Sequence, residues 1–347
     1  MSQFKPITII GGGLAGLSLG IALRRRSVPV VIREAGKYPR HRVCGEFISG
    51  RGQESLERLG VLDVMMKAGG RFASTASFFI GSRRFPAREF LQPALCLSRY
   101  TLDSLLVERF CKLGGELKCE SRWPENQSGE GIIRASGRQS QSTVAGWRWF
   151  GLKAHAKKVQ LSADLEMHVL PDAYVGLCRL SADIVNVCGL FRRRPEESDG
   201  AGSVVERLQG PEDSVLRRRL KDALWMRDSV CAVGGLSLRP QRADGTVECR
   251  IGDAQTMIAP VTGNGMSMAF ESAELAVDPL IAYSRNERSW RETTAIIARS
   301  SNALFDRRLA WAWRLQQCLF SPALCQTLIP LALRFDYAWR FLFAVTR

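Results

Sequence analysis

Histidine is scarce in this sequence, and its scarcity limits the chemistry open to the chain. Only three of the 347 residues are histidine, and the ten cysteines form no C-x-x-C pair. Structural zinc sites need clusters of these ligands, so we predict that the chain binds no metal. No signal peptide precedes the first predicted strand. We therefore expect reduced, mostly buried thiols in a cytoplasmic protein.

Long apolar runs, internal repeats and low-complexity segments are also lacking. No apolar run reaches the roughly 20 residues that a membrane-spanning helix needs. Hydrophobic residues make up 46% of the chain and charged residues 24%, which is typical of a globular protein. A chain of 347 residues can hold one large domain or two interleaved domains with a sizeable core.

Acidic residues are fewer than basic residues in this sequence. The chain has 34 acidic residues against 49 lysines and arginines, a net charge of +15. Arginine triplets stand at 24–26, 192–194 and 217–219. Such a surface favours anionic partners such as phosphorylated cofactors, nucleic acid, acidic lipid or an acidic carrier protein. No nucleic-acid-binding motif accompanies the triplets, so we expect no nucleic-acid partner, and each triplet alone is best explained as solvated arginine.

A glycine-rich turn near the start carries the first functional signal. Residues 7–10, Ile-Thr-Ile-Ile, predict a strand, and Gly11, Gly13 and Gly16 then form G-x-G-x-x-G at the start of a helix. This pattern is typical of a dinucleotide site, in which the helix N-terminus faces the pyrophosphate. A second strand at 28–34 ends on Glu34, where a ribose-binding acid is expected. The predicted cofactor-binding residues here are Gly11, Gly12, Gly13, Leu14, Ala15, Gly16, Glu34 and Ala35.

A second glycine-rich stretch lies far along the chain. A strand ends at Gly252-Asp253, and a proline with two glycines at 260–265 leads into a helix rich in small residues. This helix N-terminus would expose backbone N–H groups to a phosphate or an electron-rich ring. Asp253 is placed to accept hydrogen bonds from the hydroxyl groups of a polyol.

Between these two stretches the pattern alternates between two kinds of structure. Helical spacing at 53–67 and from 97 to about 114 suits an α/β domain. A hairpin turning at 81–82 and a run of strands over 147–190 indicate an antiparallel sheet. We further predict a helix at 204–223 and a strand at 236–240.

The domain prediction follows from this alternation. The fold class is α/β, with a Rossmann-type cofactor domain interleaved with an antiparallel substrate domain and followed by C-terminal helices. The cofactor domain is predicted at 1–71, 97–146 and 245–285, the substrate domain at 72–96 and 147–244, and the C-terminal helical segment at 286–347.

These motifs together resemble the FAD-dependent monooxygenase and reductase superfamily. It includes the aromatic hydroxylases related to p-hydroxybenzoate hydroxylase, the flavin halogenases and the geranylgeranyl reductases. The loop Arg-Val-Cys-Gly-Glu at 42–46, with Leu-Ser-Arg at 97–99, is closest to the geranylgeranyl reductase-like branch. The resemblance covers residues 1–285 and implies FAD as the cofactor. It places Arg42 and Arg99 near the flavin or its phosphates, Asp253 at the ribityl chain, and Gly263, Asn264, Gly265 and Met266 at the isoalloxazine ring.

The sequence also departs from this superfamily. Ser136-Gly137 stands where an Asp-Gly turn linked to FAD and NADPH contacts is usual, and the missing carboxylate weakens the case for nicotinamide use. The electron donor is therefore left open as NAD(P)H or another reductant. Trp147-Arg148-Trp149 is similar to the W-x-W of flavin halogenases but lacks the following Ile-Pro, which makes a halogenase the less favoured interpretation.

Few side chains are candidates for catalysis. Cys44 and Glu46 lie in the loop expected to line the flavin, although Cys44 is equally explained as a small buried hydrophobe and Glu46 as an ion pair with an arginine. Lys153 and His155 alternate on one face of a predicted strand, and a solvated face is the favoured interpretation.

The tail at 285–347 is rich in tryptophan and arginine, and its prolines predict short helices. It could dock on the catalytic body, form a dimer contact or lie on a membrane surface, and docking is favoured. The oligomeric state is left open.

Three functions remain open. The favoured one is an FAD monooxygenase of secondary metabolism that hydroxylates or epoxidises an apolar small molecule through a flavin hydroperoxide. The second is saturation of isolated double bonds in prenyl chains. The third is a non-catalytic lipid or prenyl-protein binder on the same scaffold.

Overall fold

The computed structural model describes residues 4–124, 127–138, 140–141, 143–197, 202–245 and 248–347. Parts of several predicted segments lie outside these residues, namely 125–126, 139, 142, 198–201 and 246–247. The strands are β1 (Ile7–Ile10), β2 (Val30–Arg33), β3 (Phe47–Ile48), β4 (Arg71–Ile80), β5 (Arg83–Arg84), β6 (Arg88–Cys96), β7 (Glu116–Lys118), β8 (Ile132–Arg134), β9 (Arg148–Lys157), β10 (Leu165–Leu170), β11 (Ala173–Arg179), β12 (Val185–Arg193), β13 (Leu224–Gly234) and β14 (Cys249–Arg250). The helices are α1 (Leu14–Arg24), α2 (Gly52–Leu59), α3 (Leu62–Lys67), α4 (Arg99–Lys112), α5 (Val204–Gln209), α6 (Val215–Arg219), α7 (Gly265–Ser284), α8 (Trp290–Leu319), α9 (Pro322–Arg334) and α10 (Asp336–Val345).

The first sheet is parallel and carries the glycine-rich turn. Its strand order is β14-β8-β1-β2-β7, and each neighbouring pair runs in parallel. Helices α1, α4 and α7 contribute fully buried apolar side chains to the core around this sheet. Burial on both faces explains why β1 reads as an almost unbroken apolar run.

The second sheet is larger and mostly antiparallel, with the order β13-β9-β12-β11-β10-β4-β6-β3. The pair β10–β4 is parallel, because β4 enters from a distant part of the chain rather than through a hairpin. The predicted α/β fold with a Rossmann-type part, an antiparallel sheet and C-terminal helices is confirmed.

Some predicted elements differ from the structure. The helix predicted at 53–67 is two helices, because the chain turns at Gly60 with a left-handed φ of 69°. The helix predicted at 204–223 is the short pair α5 and α6. The strand predicted at 236–240 is wrong: only Leu236 makes an isolated bridge, and the edge strand is β13 instead.

The C-terminal helices cover the second sheet. Helix α8 runs for 30 residues from a capping box formed by Ser289 and Glu292, so the prediction of short helices fails there. The chain does break at 320–322, whereas Pro330 lies inside α9. Buried Arg308 of α8 pairs with Glu271 of α7 at 2.8 Å, which ties the tail to the first sheet's helices. Within the described residues, no helix combines the length and apolarity needed to cross a bilayer.

Candidate functional site

The turn between β1 and α1 has the glycine requirements that the motif predicts. Gly11 has a φ of +105°, and an added Cβ would lie 2.4 Å from the Ala135 oxygen. A Cβ on Gly16 would lie 2.0 Å from the Gly11 oxygen. A Cβ on Gly13 would meet no atom within 4 Å, so space remains beside the start of α1. That open space at a helix N-terminus suits a phosphate.

Glu34 directly follows β2, and its hydrogen bonds hold this turn in place. Its carboxylate accepts hydrogen bonds from Gly12 N–H at 2.9 Å and Gly36 N–H at 2.8 Å, and it pairs with Arg40 at 2.7 Å. Burial favours the protonated form, yet the Gly36 hydrogen bond and the charges of Arg40 and Arg42 together lower the pKa of Glu34. The Glu34 carboxylate is therefore ionised near neutral pH.

Two predicted arginines meet on one buried acid. Asp103 of α4 accepts a two-point contact from Arg99 at 2.7 and 2.9 Å and a further bond from Arg42 at 3.0 Å. The Arg42 Nη2 atom is buried without a hydrogen-bond partner, and it lies 3.8 Å from Glu34. A buried donor left unpaired costs free energy, so this donor fits a site that receives a polar or anionic group.

The second glycine-rich stretch packs directly against the first. Gly252 N–H donates to Ser272 of α7 at 3.0 Å, and a Cβ on Gly252 would lie 2.9 Å from Ala15. The adjacent Asp253 side chain is exposed, but the surrounding protein desolvates it and raises its pKa to about 6, while Arg99 and Arg138 lower it. The two predicted ends of a cofactor site thus form one continuous region.

The start of α7 forms the far end of this region. Gly263 has a φ of +62°, and a Cβ there would lie 2.2 Å from the Phe47 ring. Asn264 donates its side-chain N–H to the Thr346 oxygen at 2.8 Å and does not cap its own helix. The first N–H groups of α7 therefore have no side-chain cap, as a ring-binding helix end requires.

Cys44 reaches the start of α7 from the loop before β3. Its Sγ lies 3.3 Å from the Met266 sulfur and accepts from Glu46 N–H at 3.4 Å. Burial raises the pKa of the Cys44 thiol, partly opposed by Arg99. The group is consequently a thiol at neutral pH and not a thiolate nucleophile.

An apolar cavity of about 290 Å³ opens beside these residues. Cys44, Gly45 and Gly263 line one end of it. The remaining wall comes from the second sheet and from the inner faces of α9 and α10, including Tyr174, Leu190, Ile329, Leu333, Trp339 and Phe343. Concave, mostly apolar cavities with a few polar groups are typical ligand sites.

A buried polar cluster lies behind the Cys44 loop. Glu46 is fully buried and has a φ of +60°. Its carboxylate contacts His155 Nε2 at 2.6 Å and Lys153 Nζ at 3.2 Å, and it accepts from Arg99 N–H at 2.9 Å. Burial opposes ionisation, but the His155 hydrogen bond and the Lys153 charge lower the pKa of Glu46. The cluster is a compensated buried ion pair.

Lys153 and His155 share one strand face, as predicted, but the favoured interpretation of a solvated face is wrong. Lys153 is 0% exposed and His155 is 3% exposed, because both side chains turn inward to Glu46. The predicted ion pair of Glu46 exists, although its cation is Lys153 and not an arginine.

His41, Glu46 and His155 could in principle hold a metal ion, since their ligand atoms lie within 4.8 Å of one another. Lys153 Nζ, however, lies 3.1 Å from His41 Nδ1 and 3.2 Å from Glu46. An ammonium group already occupies the position of a cation and would repel a second one. Burial and the charge of Lys153 lower the pKa of His41 to about 4, so its ring is a neutral acceptor.

The structure thus brings the predicted cofactor residues into one region, with Ala35 exposed at its edge. Sequence reasoning missed Arg138 next to Asp253, although it directly follows the Ser136-Gly137 turn. It also missed Arg347, which donates to Ser49 Oγ at 3.2 Å and the Thr262 oxygen at 3.1 Å. No local pattern marks Arg347, because Ser49 lies 298 residues away in the sequence and Thr262 lies 85 residues away.

Comparison with known families finds similarity mainly in the first part of the chain. A family model described as "FAD binding domain" matches residues 5–163. Squalene epoxidase erg1 of Schizosaccharomyces pombe is 34% identical over 80 residues, which are 23% of this chain and 18% of that protein. The methylenetetrahydrofolate–tRNA-(uracil-5-)-methyltransferase TrmFO of Myxococcus xanthus is 30% identical over 123 residues, 33% of this chain and 25% of that protein. The matches therefore span a quarter or less of these two relatives.

Solved structures resemble the whole chain. The flavin-dependent brominase Bmp2 has a TM-score of 0.78 at 16% identity, covering 99% of this chain and 93% of that one. PqsL of Pseudomonas aeruginosa, titled "a probable FAD-dependent monooxygenase", has a TM-score of 0.70 at 16% identity, covering 92% and 98%. The myxobacterial halogenase CndH has a TM-score of 0.74 at 18% identity, covering 91% and 82%.

These similarities confirm the predicted fold, which is that of FAD-dependent monooxygenases and halogenases. They support FAD as the cofactor and the sequence-based expectation of an FAD-dependent oxidoreductase. The residue assignments within the site and the domain boundaries stay predictions.

Proposed function

We propose that this chain is an FAD-dependent monooxygenase that acts on an apolar small molecule. The observation that carries the proposal is the cavity of about 290 Å³, whose wall includes Cys44, Gly45 and Gly263 of the predicted flavin end. An apolar ligand in this cavity would lie against the place where the reactive ring is expected. Fold similarity alone does not give this juxtaposition.

FAD fits the residues present. The open space beside Gly13 and the unpaired Arg42 Nη2 suit a pyrophosphate, and Asp253 with Arg138 suits the polar chain that follows it. The start of α7 would hold the ring, and its N–H groups would stabilise negative charge there. Bound FAD would supply the redox chemistry with oxygen.

The chain's own side chains orient the reactants and exclude water. Cys44 lines the cavity, and its Sγ contacts the Met266 sulfur at the start of α7. Glu46 contacts neither the cavity nor the start of α7, so we assign it a positioning role. By binding Arg99 N–H, Lys153 and His155, it fixes the backbone that carries Cys44.

The electron donor is proposed to be NAD(P)H that visits without a domain of its own. Ser136 lies against Gly11 and lacks the carboxylate that is usual at this turn. Another reductant is therefore the main alternative. Saturation of double bonds in a prenyl chain remains a second candidate, because the cavity is apolar enough for such a chain.

Halogenation is less favoured. The Trp149 ring packs edge-on against Phe320 at 4.8 Å, and the Trp147 ring lies between the guanidinium groups of Arg192 and Arg194. Neither tryptophan is among the residues that line the cavity in the described part of the chain. Both have roles in packing the second sheet.

The test begins with the visible spectrum of the purified protein, followed by NAD(P)H addition with and without air. A yellow protein that NAD(P)H bleaches, and that consumes oxygen faster with an apolar substrate, supports a monooxygenase. A yellow protein that reduces a prenyl chain without consuming oxygen supports the second candidate. Dependence of product formation on bromide or chloride would indicate a halogenase. Failure to take up added FAD would exclude all three and leave a lipid binder.

A further inference from the structure

We propose that the outer faces of α9 and α10 form a docking surface for an anionic lipid bilayer. We call this surface the outer apolar patch, and it consists of Leu324, Leu328, Leu331, Phe335, Tyr337 and Phe341. Exposed fractions of 49% at Leu328, 55% at Leu331 and 82% at Tyr337 place these side chains in contact with solvent. The proposal does not depend on the reaction assigned to the cavity.

Exposed apolar side chains are clustered in this patch to a degree that is unusual for a solvent-facing surface. Eleven large apolar side chains are exposed among the described residues, and six of them lie within the 18 residues from 324 to 341. Helix α9 has the sequence PALCQTLIPLALR, with no acidic residue and a single base at its end. A helix whose outer face meets only water normally carries charged residues there. Contiguous exposed apolar patches mark protein or membrane contacts.

Positive charge surrounds the patch. Arg334 and Arg340 belong to the same two helices and are exposed, and Arg83 and Arg84 are exposed in the neighbouring hairpin. That hairpin is close to α10, because Phe85 N–H donates to the Phe78 oxygen and the Phe78 ring packs against Trp339 of α10 at 5.3 Å. The one acid of the two helices, Asp336, is paired with Arg340 at 2.6 Å and Arg88 at 3.5 Å.

Apolar side chains with a basic rim and little free negative charge complement an anionic lipid surface. Amphipathic helices of this kind lie in the interface, with apolar groups among the acyl chains and arginines at the phosphates. A second copy of this chain is a poorer fit, because each copy would bring its own arginine rim and a net charge of +15.

The inner faces of the same helices add a second argument. Ile329, Leu333, Trp339 and Phe343 line the cavity while the opposite sides of α9 and α10 form the patch. Only the thickness of a helix separates the cavity from the proposed bilayer. An apolar ligand dissolved in the lipid would lie on the far side of these helices from the cavity, and displacement of α9 or α10 would open a route that avoids water.

The test is flotation of the full chain, loaded with FAD, with two kinds of vesicle. One kind is pure phosphatidylcholine, and the other is an equimolar mixture of phosphatidylcholine and phosphatidylglycerol. We expect binding to the anionic vesicles that weakens as salt is raised, because exposed charges are screened. Leu331→Gln should reduce the bound fraction, and Leu328→Gln/Leu331→Gln should lower the partition coefficient about tenfold or more.

The matched control is Leu224→Gln, a leucine of similar exposure (51%) at the start of β13. It should leave vesicle binding unchanged, and the melting temperatures of all variants should match the parent. The absence of binding to either vesicle, or an equal loss in the control, would overturn the proposal. So would a dimer that Leu331→Gln converts to a monomer, because the patch would then be an interface between copies. The FAD spectrum reports the cofactor site separately, so failure here is distinguishable from failure of the proposed function.

Discussion

The two ends of the candidate site differ in chemical character, because one is polar and the other is apolar. The end at Gly11 to Gly16 consists of backbone groups, Arg42 and Arg99, and the acids Glu34 and Asp103, all within the first 103 residues. Arg138 and the second glycine stretch join it from later in the chain. The cavity end consists of apolar side chains from strands and helices between residues 43 and 347. The comparison teaches that the proposed cofactor end is built mainly from backbone and charged groups, whereas the cavity end is assembled from apolar surfaces that are distant in sequence.

The largest effect is expected at the backbone of the polar end. Gly16→Val places a side chain within 2.0 Å of the Gly11 oxygen, where nothing flexible can yield. We expect destabilisation of more than about 3 kcal/mol and no FAD uptake. Thermal unfolding and FAD titration of the purified chain provide the measurement.

Gly13→Ala is the matched control, because a Cβ there meets no protein atom. The apoprotein should melt at the parental temperature while FAD affinity falls, since the methyl group enters the proposed phosphate space. Unchanged FAD affinity in Gly13→Ala would contradict the assignment of this turn.

The next effect concerns the buried pair between the two ends. Lys153→Met leaves the Glu46 carboxylate without its ammonium partner, and we expect a loss of about 3–5 kcal/mol in the free energy of unfolding. The double variant Lys153→Met/Glu46→Gln should regain part of that loss, because no uncompensated charge remains. Urea unfolding at neutral pH measures both.

Lys157→Met is the control for this pair, since Lys157 ends the same strand and is exposed. It should change stability by less than about 0.5 kcal/mol. If Lys153→Met were equally mild, the cluster would not be a compensated ion pair.

A smaller effect is the opposite pH dependence that we expect for the stability contributions of two acids at the polar end, Asp253 and Glu34. Asp253 has a pKa raised from 3.8 to about 6, so folding favours its protonated form. The contribution of Asp253 to the stability of the apoprotein therefore becomes less favourable as pH rises from about 4 to about 6. Asp253→Asn should stabilise the apoprotein above pH 6 and have little effect near pH 4, as followed by urea unfolding at the two pH values.

Glu34 should behave in the opposite sense. Its pKa is lowered below 4.5, so its contribution is present above that pH and is lost as pH falls through the lowered value. Glu34→Gln should therefore destabilise the chain at neutral pH. A change in the free energy of unfolding of the same sign for Asp253→Asn and Glu34→Gln at neutral pH would contradict the proposed contrast between these acids.

The smallest effect on stability is expected in the cavity. A Cβ on Gly176 of β11 would make only ordinary contacts, the nearest at 3.7 Å from the Cys188 oxygen. Gly176→Val should leave FAD affinity and melting temperature near the parent but reduce uptake of a fluorescent fatty-acid probe. Gly234→Val, at an open position on the edge strand, should leave uptake unchanged; equal loss in both variants would mean that the probe binds elsewhere.

The polar end could be predicted from sequence because its determinants are local. Gly16 is restricted by the nearby Gly11 oxygen, and Gly11 by its own φ of +105° as well as by the distant Ala135. Glu34 follows at the spacing of one helix and one strand. The start of α7 could be predicted for the same reason, since Gly263 and Gly265 lie directly beside the first backbone N–H groups of the helix. The fold class follows from these motifs and from the change of period at 147–190.

The burial of Lys153 and His155 could not be predicted in the same way. Alternation along β9 shows that the two share a face, but not whether that face meets solvent or Glu46, which is more than 100 residues away. Strand β13 was missed because its residues, apart from the buried Ser229, are half-buried or exposed at a sheet edge in no regular alternation. The walls of the cavity likewise depend on how α9 and α10 pack, which no local pattern records.

Hydrogen bonds join the residues that follow α10 to the residues that precede α7, and this contact connects the cavity wall to the proposed flavin end. Asn264 holds the Thr346 oxygen at 2.8 Å, and Arg347 holds the Thr262 oxygen at 3.1 Å, while the same helix walls the cavity through Trp339 and Phe343. A ligand that enters by displacing α10 must break these bonds at residues 262–264. Occupancy of the cavity and the backbone geometry at the proposed flavin end would therefore be coupled through these two hydrogen bonds.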